Sequence, residues 1–249
     1  MTRFAEYTDP RLVRLYDAVC SGRHDIDFYL GLAREYAAWR VVDIGCGTGR
    51  LACELAALGC EVTGVDPAPA MIEFARNRPG GTAVRWVEGH AGTVGELGAD
   101  LAVMTGHVAQ VIVDDWQWHR TLRAAWQALR PGGVLAFESR NPDASRWTAG
   151  GMAPESCRYV DDPVLGRVAV RLRELAPRGD LARSQLTYTL TATGDTLTST
   201  TELRFRSRAE LTRALAGAGF AVQQVYGDWG REPVTPWSPE LIVVATRDG

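Results

Sequence analysis

Lysine is absent from this sequence, and all 27 of its basic residues are arginine. Schiff-base chemistry needs the amine of a lysine, and the phosphate loop of P-loop proteins needs a lysine that reaches the phosphates. The tyrosine–lysine pair of short-chain dehydrogenases is excluded for the same reason. The absence of lysine therefore removes three function classes before any motif is considered.

Long apolar runs and paired cysteines are absent as well. No apolar run reaches the roughly 18 residues of a transmembrane helix, and residues 1–6 lack the apolar core of a signal peptide. The cysteines form no CxxC pair, so we expect free thiols in a reducing compartment. These absences predict a cytoplasmic protein with no membrane partner and no metal site. The five cysteines are residues 20, 46, 53, 60 and 157.

An excess of positive charge is also missing. The net charge is −3 at pH 7, and no run of basic residues occurs. Proteins that bind the backbone of nucleic acids need clustered positive charge. We therefore expect no nucleic-acid partner. The length of 249 residues suits one domain with an elaboration, or one large and one small unit.

The most informative stretch is a glycine turn. A short apolar run, Val41–Ile44, leads directly into Gly45, Gly47 and Gly49, and an apolar pattern of helical spacing follows over 51–58. Glycine lets a turn adopt positive φ and lets a ligand approach the backbone closely. A strand, a glycine turn and a helix N-terminus form the unit with which α/β proteins hold nucleotide-like ligands.

Strands and helices continue to alternate after this turn, which predicts an α/β fold with a parallel sheet. The predicted strands are residues 41–44, 61–65, 83–87, 99–105 and 134–138, with closing strands at 220–226 and 241–245. From about 158 to 206, apolar and polar residues alternate with a period of two. That pattern predicts an antiparallel β insertion, which we expect over the ligand-binding end of the main sheet.

The first 36 residues are predicted to form two helices. Asp9 and Pro10 are typical of a helix start, and a second helix is expected to begin near Asp25. Two interpretations stand side by side. The helices either pack outside the sheet or form a lid that places aromatic side chains, among them Tyr16, over the ligand.

Asp66 points to the kind of ligand. It ends the second predicted strand, where a carboxylate can accept hydrogen bonds from both hydroxyls of a ribose. The glycine spacing is GxGxG, whereas a dinucleotide turn usually has GxGxxG. A single nucleoside with an amino-acid tail therefore fits the turn better than a dinucleotide does.

Four stretches together resemble the motif series of class I S-adenosylmethionine-dependent methyltransferases. They are Val-Val-Asp-Ile-Gly-Cys-Gly-Thr-Gly-Arg at 41–50, Asp66, Glu-Gly-His-Ala at 88–91 and Leu-Arg-Pro-Gly-Gly-Val at 129–134. The resemblance implies S-adenosylmethionine as cofactor and a Rossmann-like sheet of seven mostly parallel strands, with helices on both faces and a reversed last strand. We expect a helical lid at 1–36, a core at 37–144 and 207–249, and the β insertion at 145–206.

The same resemblance implies which residues contact the methyl donor. Gly45, Gly47 and Gly49 are expected to border its methionine part, with Asp43 under the turn, ordering either the turn amides or the donor's ammonium. The remaining expected donor contacts are Asp66 at the ribose, Pro67, Met71, His90 and Ala91 around the adenine, and Thr105 and Gly106 near the transferred methyl. His90 departs from the family pattern, because many members have an aspartate there.

Candidate residues for the methyl acceptor follow the later strands. His107 comes after the fourth strand and is the candidate base, unless it is a neutral histidine packed by the turn. The expected substrate contacts are Glu138, Arg140, Asp228 and Trp229. We therefore predict methyl transfer to an oxygen, nitrogen or carbon of a small molecule. The alternatives are an NAD-dependent oxidoreductase and a non-catalytic cofactor-binding protein.

Overall fold

The computed structural model of the chain describes residues 2–22, 24–144 and 156–248. Its strands are β1 (Thr2–Arg3), β2 (Arg40–Ile44), β3 (Glu61–Asp66), β4 (Arg85–Glu88), β5 (Ala99–Met104), β6 (Leu129–Arg140), β7 (Ser156–Asp162), β8 (Gly166–Arg178), β9 (Leu181–Leu190), β10 (Thr196–Arg204), β11 (Phe220–Tyr226) and β12 (Glu240–Arg247). Its helices are α1 (Ala5–Thr8), α2 (Pro10–Val19), α3 (His24–Glu35), α4 (Arg50–Ala57), α5 (Pro69–Arg76), α6 (Val108–Val111), α7 (Asp115–Ala128) and α8 (Arg208–Gly217).

The main sheet has seven strands in the order β11-β12-β6-β5-β2-β3-β4. Strand β12 runs antiparallel to both of its neighbours, and the remaining pairs are parallel. This arrangement confirms the predicted Rossmann-like sheet with one reversed strand. The carboxyl ends of β2, β3, β4, β5 and β6 meet at one edge, where a ligand site of an open α/β sheet is expected.

Apolar side chains of the strands alternate between two buried clusters, one on each face of the sheet. Val42 of β2 packs with residues of α7 and α8, whereas Val41 packs with residues of α3 and α4. Because both faces are covered, the central strands are apolar throughout rather than alternating with polar residues. The prediction of helices on both faces is confirmed.

Several element boundaries differ from those predicted. Strand β6 begins at Leu129 rather than 134, because Leu129 already pairs with Ala99. Residues 130–133 then stand opposite the single residue Asp100, before Val134 pairs with Leu101. Strand β4 begins at Arg85 rather than 83, since Gly81–Ala83 form a turn of 3-10 helix. The short elements β1, α1 and α6 were not predicted, as each is too short for a periodic pattern.

The second sheet has the order β1-β10-β9-β8-β7. Strands β7 to β10 form an antiparallel meander, as predicted, and the two-residue β1 pairs in parallel with β10. One face packs on α2, where Leu12, Leu15 and Val19 join a cluster with Val168 and Tyr188. The N-terminal segment and the insertion are therefore held together by a shared apolar core.

Helix α2 begins as the sequence predicts. The side chain of Asp9 accepts a hydrogen bond from the backbone N–H of Arg11, and Pro10 is the first helical residue.

Among the residues that the structure describes, no helix has the length and apolar character needed to cross a membrane.

Gly49 supplies a prediction about the packing of the glycine turn. A Cβ atom at Gly49 would lie 2.4 Å from the Trp86 ring and 2.9 Å from Ala75 Cβ, whereas at Gly80 the nearest contact is 3.6 Å. Both residues have positive φ, so alanine costs about 1–2 kcal/mol at each. We expect Gly49→Ala to lower the free energy of unfolding by a further 1–3 kcal/mol or so from overpacking. Urea denaturation would measure this, and equal losses in the two variants would contradict it.

Candidate active site

A cavity of about 290 Å³ opens at the carboxyl edge of the main sheet. Every predicted donor contact except Asp43 and Gly49 lines it, namely Tyr16, Gly45, Gly47, Asp66, Pro67, Met71, His90, Ala91, Thr105 and Gly106. Residues that the sequence analysis did not identify complete the wall, among them Tyr7, Val108, Trp116, Gln117 and Arg120. The cavity therefore brings together residues that follow four different strands.

The glycine turn forms one wall of this cavity. The backbone N–H groups of Gly45 and Cys46 donate to Val65 O at 2.8 and 3.1 Å, which holds the turn against β3. A Cβ atom at Gly45 would lie 2.5 Å from Val108, so α6 can approach only a glycine there. At Gly47 nothing lies within 4 Å of the Cβ position, so space for a ligand remains on that side.

Asp66 connects the turn to the cavity. Its Oδ2 accepts from Gly47 N at 3.0 Å, and its Oδ1 accepts from Ala68 N at 2.9 Å. Burial raises the pKa of Asp66, and these two hydrogen bonds act in the opposite direction. Each oxygen accepts one bond from the protein, so lone pairs remain for two hydroxyl groups of a ligand.

Asp43 lies below the turn and outside the cavity lining. It is 1% exposed, and neither of its carboxyl oxygens has a hydrogen-bond partner among the described residues. Burial, together with the smaller effects of the Asp66 and Glu138 carboxylates, raises its pKa to about 7. Val65 and Asp66 accept the turn amides instead, so the ordering of those amides, one of the two expected roles of Asp43, is performed by other residues.

Gly49 also lies outside the cavity lining, against Trp86 and Ala75. It is the N-cap of α4 and has a φ of 76°. The sequence pattern does not distinguish a glycine required by packing from one that borders a ligand, because both follow the same spacing.

Asp17 joins helix α2 to the glycine turn, a contact that no sequence signal indicated. Its Oδ1 accepts from the Thr48 hydroxyl at 2.6 Å, and its other oxygen pairs with Arg78. Arg78 Nε also donates to the Thr48 carbonyl at 3.1 Å. These contacts hold α2 beside the cavity, into which its Tyr16 projects.

His107 lies next to the cavity residue Gly106 but belongs to a separate cluster of buried acids. Its φ is 63°, a left-handed conformation that is unusual for a residue with a side chain. Its backbone N–H donates to Glu138 Oε1 at 2.6 Å, and its Nε2 lies 3.2 and 3.3 Å from the two carboxylate oxygens of Glu240. The Tyr29 hydroxyl donates to the second oxygen of Glu138.

The predicted acceptor contacts have different surroundings from one another. Glu138 is fully buried, and both of its oxygens already accept hydrogen bonds from the protein. Burial raises its pKa, and nearby His107 acts in the opposite direction. Burial lowers the pKa of Arg140, while the carboxylates of Glu240 and Glu138 act to raise it. Glu138 and Arg140 thus lie in the cluster of His107.

Asp228 and Trp229 lie in the loop between β11 and β12. Asp228 Oδ1 accepts from Gly230 N at 2.8 Å and from Glu232 N at 3.2 Å, so this side chain closes the loop. Trp229 packs edge-on against Phe28 and Tyr29, with ring centroids 5.7 and 6.2 Å away. Both residues have structural contacts that the sequence analysis did not foresee.

Comparison with known proteins shows which family of domains the chain resembles. Residues 41–133 match the family model of the methyltransferase domain. The chain is 33% identical over 127 residues to a ubiquinone biosynthesis O-methyltransferase of Ruegeria pomeroyi, with 49% of each protein covered. It is 29% identical over 146 residues to a malonyl-[acyl-carrier protein] O-methyltransferase of Enterobacter lignolyticus, with 57% and 56% covered. The chain thus spans about half the length of these curated relatives.

Solved structures resemble the chain over nearly its whole length. An amino pentose methyltransferase from Micromonospora echinaspora with bound S-adenosylmethionine is 25% identical, with a TM-score of 0.70 and 94% and 96% of the two chains covered. An S-adenosylmethionine-dependent methyltransferase from Clostridium acetobutylicum has a TM-score of 0.78 at 16% identity, with 96% and 98% covered. Residues 41–133 therefore match a methyltransferase domain, and the chain has the fold of these S-adenosylmethionine-dependent methyltransferases, which confirms the resemblance seen in the sequence.

The unpartnered Asp43 carboxyl yields a prediction about stability. Its pKa of about 7 in the folded protein exceeds its ordinary value of 3.8, so the folded state holds the proton more tightly and loses stability as pH rises from about 4 to 7. Asparagine avoids this loss. We expect Asp43→Asn to raise the free energy of unfolding at pH 8 by about 4 kcal/mol, at 1.36 kcal/mol per pH unit, and to have little effect near pH 4.

Asp100 provides a control of opposite sign. Burial acts to raise the pKa of Asp100. Hydrogen bonds from the backbone N–H groups of Arg40 and Trp39 and from the side chain of Arg130 outweigh burial and hold this pKa below its ordinary value. Asp100→Asn should therefore lower the stability at pH 8. Urea unfolding at both pH values measures these effects, and a gain for Asp43→Asn that is independent of pH would contradict the assignment.

Proposed function

We propose that this chain transfers a methyl group from S-adenosylmethionine to an oxygen, nitrogen or carbon atom of a small molecule. The observation that carries the proposal is the cavity at the carboxyl edge, with the glycine turn and Asp66 in its wall and the unpartnered Asp43 beneath it. S-adenosylmethionine supplies a methyl group on a positively charged sulfonium, and the departing sulfur is a neutral thioether. Two buried acids beside the turn suit such a cation.

In this proposal, different residues around the cavity contact different parts of the methyl donor. Asp66 accepts from the ribose hydroxyls, and Gly45 and Gly47 leave room for the methionine part beside the backbone. Pro67, Met71, His90 and Ala91 enclose the adenine, and Thr105 and Gly106 lie near the transferred methyl. Asp43 offsets the positive charge of the donor from below the turn.

Alignment and exclusion of water provide most of the rate in a methyl transfer, because the leaving group is already a good one. Correct orientation alone contributes about 7–11 kcal/mol. A base is needed only when the acceptor must lose a proton, and His107 is the candidate for that role. Glu138 and Arg140 lie in the same cluster and face the acceptor side in this proposal.

Residues 1–36 act as a lid in this proposal, and the antiparallel β insertion covers the acceptor side. The support is the position of α2, which contributes Tyr16 to the cavity, binds the turn through Asp17 and shares an apolar core with the second sheet. All five cysteines are free thiols, which is consistent with a cytoplasmic location.

Titration calorimetry tests the choice of ligand. We expect the wild-type protein to bind S-adenosylmethionine and its demethylated product, with no measurable binding of NADH. Asp66→Ala should weaken donor binding by about 1–3 kcal/mol, the value of hydrogen bonds to a charged group. The control Asp195→Ala removes an exposed aspartate in the turn after β9 and should leave the affinity unchanged. Binding of NADH without a response to the donor would refute the proposal.

The role of the lid is tested at Asp17. Asp17→Asn weakens the contacts with Thr48 and Arg78, so α2 is held less firmly and donor affinity should fall about 5- to 10-fold, the effect of one charged hydrogen bond. The control is Asp162→Asn, which breaks the 2.9 Å ion pair between α2 and the second sheet at Arg14. Surface plasmon resonance measures both. Equal affinities of the Asp17 variant and the wild type would show that α2 only packs beside the cavity.

A further inference from the structure

Glu240 is the least expected member of the acid cluster. It is the first residue of β12, it pairs with Arg140 of β6 in the antiparallel ladder, and it is 8% exposed. A carboxylate so deeply buried is costly unless it has a partner. Its partner is the His107 ring, whose Nε2 lies 3.2 Å from Oε2 and 3.3 Å from Oε1.

His107 is held at two independent points. Glu138 accepts its backbone N–H and so stabilises the left-handed backbone at this position. Glu240 contacts only the ring. Backbone strain of this kind persists where the surrounding structure enforces it, and it clusters at functional sites. The backbone contact and the ring contact can therefore be tested separately.

The ring contact determines which nitrogen can act as a base. An ionised carboxylate accepts hydrogen bonds and has none to donate, so the nitrogen that faces Glu240 carries the proton. The lone pair of the neutral ring is then on Nδ1. Nδ1 has no hydrogen-bond partner among the described residues, and the side chain is 22% exposed.

We propose that Glu240 is a positioning residue that orients the His107 ring and leaves Nδ1 as the base for acceptors that must lose a proton, namely hydroxyl or ammonium groups. This inference rests on the proposed function. As the acceptor oxygen or nitrogen forms its bond to the methyl carbon, the carbon–sulfur bond breaks and its electron pair stays on the neutral sulfur. The acceptor proton moves to Nδ1, and the negative charge of Glu240 stabilises the resulting imidazolium.

Other charged groups around His107 have separate roles. Glu138 of β6 accepts from the His107 backbone and from Tyr29 of α3, so its oxygens are directed to those donors. Arg140 of β6 lies near both Glu240 and Glu138. The ring of His107 therefore meets one carboxylate directly, and a substitution at Glu240 changes the ring contact without removing the backbone contact.

The first experiment needs no acceptor. Nitrogen-15 spectra of the histidine rings report the tautomer, and His107→Ala identifies the signals of His107 among the four histidines. The wild type should show a proton on Nε2 and a free Nδ1. Glu240→Gln should keep this tautomer, since an amide oxygen still accepts. Glu240→Ala should show a mixture of tautomers. Spectra that are the same in all three proteins would overturn the proposal.

The second experiment measures turnover with an acceptor found in a screen of small hydroxyl and amine compounds. Glu240→Gln should lower kcat about 10- to 100-fold at neutral pH and leave the affinity for the demethylated donor within about twofold. The double variant His107→Ala/Glu240→Gln should be no slower than His107→Ala, because both residues act in one step. The control Glu61→Gln removes a surface ion pair with Arg40 at the first residue of β3 and should turn over normally.

These two experiments and the titration calorimetry together distinguish failure of this inference from failure of the proposed function. Loss of donor affinity equal to the loss of kcat in Glu240→Gln would show a merely structural ion pair and overturn the inference. Binding of NADH instead of the donor would refute the proposed function, and with it the inference. An unchanged kcat in Glu240→Gln would overturn the inference and leave methyl transfer intact.

Discussion

Three buried carboxyl groups near the carboxyl ends of parallel strands are the constraint around which the site is built. Asp43 lies on β2, Asp66 at the end of β3 and Glu138 near the end of β6. Burial raises the pKa of all three, so the fold bears a cost in stability that a purely structural core would avoid. The glycine turn is held by Asp66, and His107, the N-cap residue of α6, is held by Glu138.

The three acids differ in how far the protein satisfies them. Glu138 and Asp66 each accept one hydrogen bond on each oxygen, whereas Asp43 has no partner among the described residues. The least satisfied acid is thus Asp43, beneath the glycine turn, where the donor is proposed to bind. Glu138 holds the backbone of His107, which explains how that residue remains in a left-handed conformation.

Helix α2 and the second sheet are connected by contacts between distant parts of the chain. Helix α2 contacts the glycine turn through Asp17 and the second sheet through an apolar cluster and the Arg14–Asp162 ion pair. Strand β1 continues the edge of that sheet beside β10. Any movement of α2 away from the cavity must therefore disturb its contacts with the second sheet as well.

The sequence by itself determined the features that depend on local physics. Positive φ requires glycine, so the turn at 45–49 was visible, and the position of Asp66 at a strand end followed from the chain order of strand and helix. The period of the apolar residues separated the parallel core from the antiparallel insertion. The cavity lining inferred from these motifs agrees with the structure except at Asp43 and Gly49.

Only the tertiary structure decided which side chains meet. Tyr29 lies on α3, Glu240 on β12 and Asp17 on α2. No local pattern in the sequence marks any of these three residues. Asp228 and Trp229 stand in a loop near the predicted site, yet one closes that loop and the other packs on α3. The contacts of Asp17 with Thr48 and of His107 with Glu240 join residues that are 31 and 133 positions apart in the chain. Such contacts depend on how the strands and helices are arranged around the sheet, so the sequence alone does not reveal them.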